Sequence, residues 1–317
     1  MNYKYSQNIY FYSADEEMPM NKMDFTAIIK TFELFALQDK AVFKECIFHV
    51  VWGGISYDFH DIETCKGKKN ILIWIADELG SVPSNYVIER FYVIFKNHLR
   101  KEIPNSNIYP LPLFTPLLNL PKKGGDMAKR EYDVFFSGCL NKNRILLLWG
   151  LQGVTGKIAR FLYKISCVRG FGRFVSWIYC GKQFDFSNKI KNSIIKFTDG
   201  FYHGYTPQEY AILTSKAKIV LNPRGFHSTE CFRMYEAMAA GCIVLSEELP
   251  PLRIYNNIPV IQVKDWSNIY DITSRLLNNI ALMQKMSHNI HDYYQRNLSC
   301  EGIANYMVNV IKTNKIQ

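Results

Sequence analysis

Arg233 and Glu236 stand three residues apart in the stretch KIVLNPRGFHSTECFRMYEAMAAGCIVLSEELPP, Lys218 to Pro251, just beyond a Pro-Arg-Gly turn. At about 100° per residue, Thr229, Arg233, Glu236 and Ala240 share a stripe about 60° wide, with Glu230 at its edge. Phe232, Tyr235, Met238 and Ala239 fall on the opposite side. The spacing predicts a helix from Thr229, whose open N–H groups and dipole favour an anion. A cation at Arg224 or Arg233 beside a diphosphate, with Glu236 accepting two ribose hydroxyls, is the chemistry that nucleotide-sugar binding requires. The plainer alternative is a solvated Arg–Glu pair worth about 0.2–0.5 kcal/mol, and spacing alone favours it.

Other residues could handle protons. Asp77 and Glu78 follow ILIWIA, the most apolar run of the chain, and paired carboxylates there could hold one raised pKa. They could equally satisfy backbone donors at a helix start. Asp15 and Glu16, after the first strand, are a reserve pair, and His49 inside IFHVVW reads as a satisfied core histidine. The Gly53–Gly54 turn would let backbone approach a substrate.

These residues need elements to position them. NIYFYS, CIFHVVWGG, NILIWIADE and NIYPLPLF read as strands, with MDFTAIIKTFELFALQ and NYVIERFYVIFKNHLR as helices between them. Such alternation predicts βαβ units on a parallel sheet. NLPKKGGDMAKRE, Asn119 to Glu131, has linker composition. Strands are then expected at YDVFFSG, FVSWIYCG, SIIKFTDG, KIVLNP, CIVLS and PVIQV. The expected helices are RILLLWGL onward, PQEYAILTSKA, TECFRMYEAMAA closed by Gly241, and the tail from Ser267. The expectation is a Rossmann-like domain over 1–120, a linker over 121–130, and a second Rossmann-like domain over 131–317 carrying the C-terminal helices. Ligands of such sheets collect at the carboxyl ends of strands, at Gly53–Gly54, Asp77–Glu78, Gly138 onward and Pro223–Arg224–Gly225 onward.

The order of features in the second half resembles the donor-binding half of exostosin-like glycosyltransferases. The matching elements are Tyr210, Ser215, Pro223 with Gly225, Arg233 with Glu236 and Ala237, Gly241 with Cys242, and Leu249 with Pro250. Upstream, VFFSGCLNKNR matches through Gly138 and Arg144. Ser228 stands earlier than the family's serine and Glu230 intervenes, resembling the first glutamate of a paired-glutamate motif in retaining enzymes. The resemblance implies an α/β GT-B fold, two Rossmann-like domains facing across a cleft with a helical C-terminal tail. It implies sugar transfer from a nucleotide-sugar to a hydroxyl of a glycan or lipid-linked glycan acceptor, inverting and metal-independent, in cell-surface polysaccharide synthesis. No Asp-x-Asp motif is present to hold a divalent ion, so neither metal nor cofactor is expected. Phosphate charge would fall to Arg144, Arg224 and Arg233, helped by N–H groups after Gly138 and Gly225, with Ser228, Thr229 and Glu230 beside them. The base would be Glu78 or Asp77, on the acceptor side.

Composition bounds these readings. At 317 residues, 48% hydrophobic and 21% charged, the chain suits two ordinary folded domains. The start, MNYKYSQNIYFYSADEEMP, lacks a secretory h-region, and no apolar run reaches the ~18 residues of a membrane span. The expected location is the cytoplasm or, peripherally, the inner face of a membrane. Eight cysteines without a C-x-x-C pair read as reduced and structural. The net charge of +10 lies in one place: from Asn141 to Lys196 there are eleven Lys or Arg and one acid, Asp185. This points to an anionic partner or to a solvated basic face. Within it, Lys157, Arg160 and Lys164 share a helical face opposite Ile158, Phe161, Leu162 and Ile165, a pattern suited to an anionic membrane surface over 142–196. Two rival functions remain. A nucleotide-sugar epimerase or phosphorylase would share the donor site. A nucleic-acid-binding protein would use the basic segment, but nothing resembles a reading motif and no nucleic acid is expected.

Overall fold

Strands rich in Ile, Val and Phe, buried on both faces, organise two sheets. The computed structural model describes residues 2–13, 25–53, 57–154, 156–166, 175, 178–181, 183–184, 190–200 and 203–314. The chain divides into two compact units. One comprises Met1–Leu118, Pro250–Asn257 and Gln295–Gln317, and the other Asn119–Leu249 and Ile258–Tyr294.

The first unit holds β1 (Asn2–Ser6), β2 (Ile9–Ser13), α1 (Thr26–Gln38), α2 (Lys40–Glu45), β3 (Cys46–Trp52), β4 (Lys69–Ile75), α3 (Asn85–Arg90), β5 (Val93–Lys96) and β6 (Ile108–Pro110). Its strands lie in sequence order; β1 pairs antiparallel with β2 and the remaining pairs are parallel. Alternate residues Phe48, Val50, Ile71, Ile73 and Phe95 form one face, packed with Ile28, Phe32 and Phe35 of α1. The spacing of those three residues, four and then three, is what predicts α1.

Two expectations are corrected here. The helix expected over Asn85–Arg100 stops at Arg90, and Val93–Lys96 is a fully buried strand between β4 and β6. A short apolar run is ambiguous by periodicity, and β-branched and aromatic residues buried on two faces favour the strand. Arg90 donates to the carbonyls of Phe59 (2.8 Å) and Ile62.

The second correction concerns the end of the chain. The last helix, Cys300–Thr313, was expected in the donor domain but belongs to the first unit. Its Ile303, Ala304, Met307 and Ile311 complete the core over α1 and the sheet. That sheet face needs an apolar cover, and α1 alone is too narrow to supply it.

The second unit holds β7 (Tyr132–Cys139), α4 (Ile145–Leu151), α5 (Gly156–Ser166), β8 (Gln183–Phe184), β9 (Ser193–Thr198), α6 (Pro207–Ser215), β10 (Ala217–Asn222), α7 (Phe232–Ala239), β11 (Ile243–Glu247), β12 (Ile261–Val263), α8 (Ile269–Leu277) and α9 (Ile280–Tyr293). We number the last helix of the first unit α10. The expected strand FVSWIYCG is a further correction: of its described residues, Val175, Ile178 and Tyr179 are helical and only Cys180 bridges, to Phe197. Strand order is β12-β11-β10-β7-β9-β8, with every pair parallel except β8–β9. From β7 the chain moves to β9 on one side and then crosses to β10 on the other. The loops after β7 and β10 therefore part at a topological switch point, where such sheets bind ligands. Helix α6 begins with Pro207 behind a capping box of Thr206 and Glu209. Helix α7 ends in a Schellman motif: Gly241 (φ +68°) donates to Met238 O at 3.0 Å and Cys242 to Ala237 O at 2.8 Å. Among the described residues, no helix is long and apolar enough to cross a membrane.

The placement of α10 is testable. Met307 is fully buried in the first unit, so Met307→Ala should cost about 2–5 kcal/mol in urea unfolding. Amide exchange should quicken in β3–β5 before β7 and β10. Loss of protection confined to the second unit would contradict this assignment.

Candidate functional site

The switch point is lined by the two segments that the sequence singles out. Gly138 lies at the end of β7, and Arg144 follows on a 3-10 turn, Lys142–Arg144, leading into α4. Asn141 caps that turn, its side-chain oxygen accepting from the N–H groups of Asn143 (2.9 Å) and Arg144 (3.2 Å). From the other segment, Arg233 comes off the first turn of α7.

Arg144 and Arg233 are both buried. Arg233 Nη2 donates to Ser137 O (2.7 Å), and its guanidinium lies 4.8 Å over the ring of Phe136. Arg144 Nη1 donates to Cys139 O (2.7 Å), and its Nε donates to Arg224 O (3.2 Å). A side chain on Gly138 would put its Cβ 2.4 Å from Arg233 Nη2 and 3.0 Å from Arg144 Nη1. A larger residue there would have to push the ends of both arginine side chains aside. Burial, and next the neighbouring Arg233 charge, push Arg144 down to about 10. Among the described residues, neither arginine has a carboxylate within salt-bridge distance. Arg233 Nε and Nη1 are buried without a hydrogen-bond partner. Two desolvated cations, held by carbonyls rather than neutralised by acids, make a site for an anion with several oxygens.

Glu236 lies one turn along α7 from Arg233 and is half-buried. Burial pushes its carboxyl up to about 7, against the opposing pull of Arg233. Among the described residues its carboxyl forms no salt bridge.

Several predicted donor-side residues stand differently from expectation. The helix starts at Phe232, with Cys231 extended (φ −123°, ψ 144°), so Thr229 and Glu230 precede it and Thr229 is not on its stripe. Thr229 is anchored instead: its hydroxyl donates to Glu248 O (3.0 Å), and its carbonyl accepts from Asn222 Nδ2 (3.0 Å). Ser228 Oγ accepts from the N–H of Glu230 (3.0 Å), a local bond that competes with helix formation. Glu230 is buried in this loop. The side chain of Arg224 is exposed, and that residue joins the cluster through its carbonyl. The Gly225 N–H donates to Ser228 O at 2.8 Å, which closes the loop on itself.

Sequence reasoning missed Asn143 and Phe136. Asn143 Nδ2 donates to the carbonyls of Gly225 (2.7 Å) and Phe226 (3.0 Å), tying the two loops together. Its one signal is its place beside Arg144 in LNKNR. Phe136, inside an apolar strand, carries no signal of lying beneath a guanidinium.

In the first unit, Asp77 is buried and paired with Lys96 Nζ at 2.7 Å, and it accepts from Ser81 N–H at 2.8 Å. Burial alone would raise its pKa, but the Lys96 ammonium and the Ser81 bonds outweigh that and hold it below the usual carboxylate range. The expected raised pKa is therefore not at Asp77, and Glu78 beside it is exposed. Lys96 also lies 3.8 Å over the ring of Trp74. His49 is a satisfied core residue, bonded to Tyr12 OH (3.1 Å) and Asn70 Oδ1 (3.2 Å), and burial pushes it down to about 4. Asp15, Glu16 and Gly54 lie outside the described residues. Among the described residues, no three His, Cys, Asp or Glu side chains gather as a metal-binding group.

No protein-family model matches the chain. No curated protein matches it either. Among solved structures it is similar to Anabaena HepE in complex with UDP-glucose, with a TM-score of 0.51 and 10% identity over 96% of this chain and 99% of HepE. An alpha-glucosyltransferase in complex with UDP matches with a TM-score of 0.48 and 9% identity over 96% of this chain and 91% of that one. TarM matches with a TM-score of 0.49 and 12% identity over 91% of this chain, and the chain spans 58% of TarM's length. The fold shared with HepE is GT-B: two parallel-sheet α/β units with C-terminal helices.

Burial holds a proton on Glu236 in the folded chain between the ordinary glutamate range and about pH 7. Stability from this group is full below that window and falls as pH rises through it. Glu236→Gln, which keeps the neutral shape, should be more stable than the native chain at pH 8 by about 1–2 kcal/mol. The difference should vanish as pH falls towards the ordinary glutamate range. A thermal scan across pH checks this, and equal midpoints at pH 8 would place Glu236 in water.

Proposed function

We propose that this chain is a glycosyltransferase that moves a sugar from a nucleotide diphosphate donor to a hydroxyl acceptor. The observation that carries the reading is the pair of buried guanidiniums, Arg144 and Arg233, closing on Gly138 at the switch point without carboxylate partners among the described residues. A departing nucleoside diphosphate has the charge and the oxygens such a pair would bind, and its stabilisation is the main electrostatic demand of sugar transfer. Glu236, one helical turn away, accepts the ribose hydroxyls. The order of Tyr210, Pro223, Gly225, Arg233, Glu236 and Gly241 supports an exostosin-like enzyme within the GT-B class. HepE, which shares the fold, was crystallised with UDP-glucose, and this supports a UDP-sugar as donor.

The finer reading is an inverting, metal-independent transfer onto a glycan or lipid-linked glycan of the cell surface, on the cytoplasmic side. Cationic side chains take the place of a divalent ion at the diphosphate. Glu78 is the base, since Asp77 is committed to Lys96 and an exposed carboxylate can exchange protons with an acceptor hydroxyl.

UDP at about a hundred times its Kd should stabilise the chain by about 2.7 kcal/mol. Arg233→Ala and Glu236→Ala should each lose most of that shift, and a chain indifferent to every nucleotide would overturn the assignment. Excess chelator should leave transfer intact; loss restored by manganese would refute the metal-free mechanism. Glu78→Gln should lower kcat by about 10²–10⁴ with the UDP shift unchanged. Undiminished turnover in that variant moves the base elsewhere.

A further inference from the structure

Among the described bases of the basic segment, Arg144 is the one placed at the candidate site, and α5 of the same segment carries an unusual surface. At about 100° per residue, Ile158, Phe161, Leu162 and Ile165 share one stripe of α5, about 100° wide. In the folded chain the stripe is divided. Leu162 and Ile165 are half-buried, whereas Ile158 is 65% and Phe161 61% exposed. Lys157 and Lys164, both exposed, flank Phe161 on the same helix, and Lys142 and Lys191 of the same segment are exposed as well. Among the described residues, none of these four lysines forms a salt bridge.

We propose that α5, through Ile158, Phe161, Lys157 and Lys164, docks the second unit onto an anionic lipid bilayer. An interfacial helix needs apolar side chains to enter the acyl boundary and ammonium groups beside them to reach lipid phosphates. Each basic residue near an anionic surface adds attraction, and the eleven-to-one excess of bases between Asn141 and Lys196 supplies the right sign. Nucleic acid would satisfy the lysines, but it has no apolar phase for an exposed isoleucine and phenylalanine one helical turn apart. This surface stands independently of the donor site. If the chain is the transferase proposed above, docking would bring a lipid-linked acceptor within its reach.

Sedimentation with vesicles tests it, using phosphatidylcholine alone or with about a third phosphatidylglycerol. The full chain should partition onto the anionic vesicles and, at least about tenfold more weakly, onto the neutral ones. The I158S/F161S variant should lose about tenfold or more in partitioning, and K157E/K164E a comparable amount. Since these side chains are exposed, both variants should keep the native unfolding midpoint and the UDP response, which separates loss of docking from loss of fold or of the donor site. Native partitioning by I158S/F161S would overturn the proposal, as would equal binding to neutral vesicles. Binding to duplex DNA that survives in I158S/F161S, without vesicle binding by the native chain, would assign the surface to nucleic acid instead.

Discussion

The second unit keeps two guanidiniums out of water and, among the described residues, gives neither a carboxylate. Removing an ion from water costs several kcal/mol even after relaxation, and two like charges repel across a medium of low dielectric. The compensation visible around Arg144 and Arg233 is partial: the carbonyls of Ser137, Cys139 and Arg224, and the face of Phe136. The remaining cost is carried by the core beneath, where Phe135, Val220, Tyr235 and Met238 are fully buried. Such a site lowers the stability of the unliganded chain and raises its affinity for an anion, a common trade between stability and function.

The surrounding loops are built so that this charge survives. Three asparagine side chains are prominent among the bonds holding them: Asn141 to the turn before α4, Asn143 to the loop after β10, and Asn222 to Thr229 O and Ser246 Oγ. Amides supply both donors and acceptors while adding no negative charge. An acid at Asn143 could not donate to the Gly225 and Phe226 carbonyls and would add a negative charge to the loop. Glu230 is buried in the same loop, but it is engaged by Ser228.

The first unit handles burial in the opposite way. Lys96 and Asp77 neutralise each other, the ammonium rests on Trp74, and His49 loses its charge between Tyr12 and Asn70. These paired groups favour one arrangement of the strands, although Asp77 Oδ1 and Tyr57 OH are buried without a hydrogen-bond partner. The exposed Glu78 is the group left available beside them.

Much of this is legible in one dimension. Periodicity marked most strands and α1, because a strand buried on both faces must be continuously apolar and a packed helix must repeat every three or four residues. Pro207 and Gly241 marked helix ends because their backbone chemistry is local. Arg233 and Glu236 could be singled out because three residues along a helix place side chains on one side. Other features depend on chain segments far apart in sequence. The helix expected at Thr229 begins at Phe232 because Asn222 and Glu248 hold Thr229 from either side. Val93–Lys96 became a strand because β4 and β6 flank it. The last helix joined the first sheet because that face lacked a cover. The approach of Arg144 to Arg233 needed β7 and β10 to be neighbours, and strand order is set by which apolar faces pair, not by any residue's own preference. The residue types and their local spacing thus specified the chemistry on offer, and the packing of distant strands decided which of those groups lose water together.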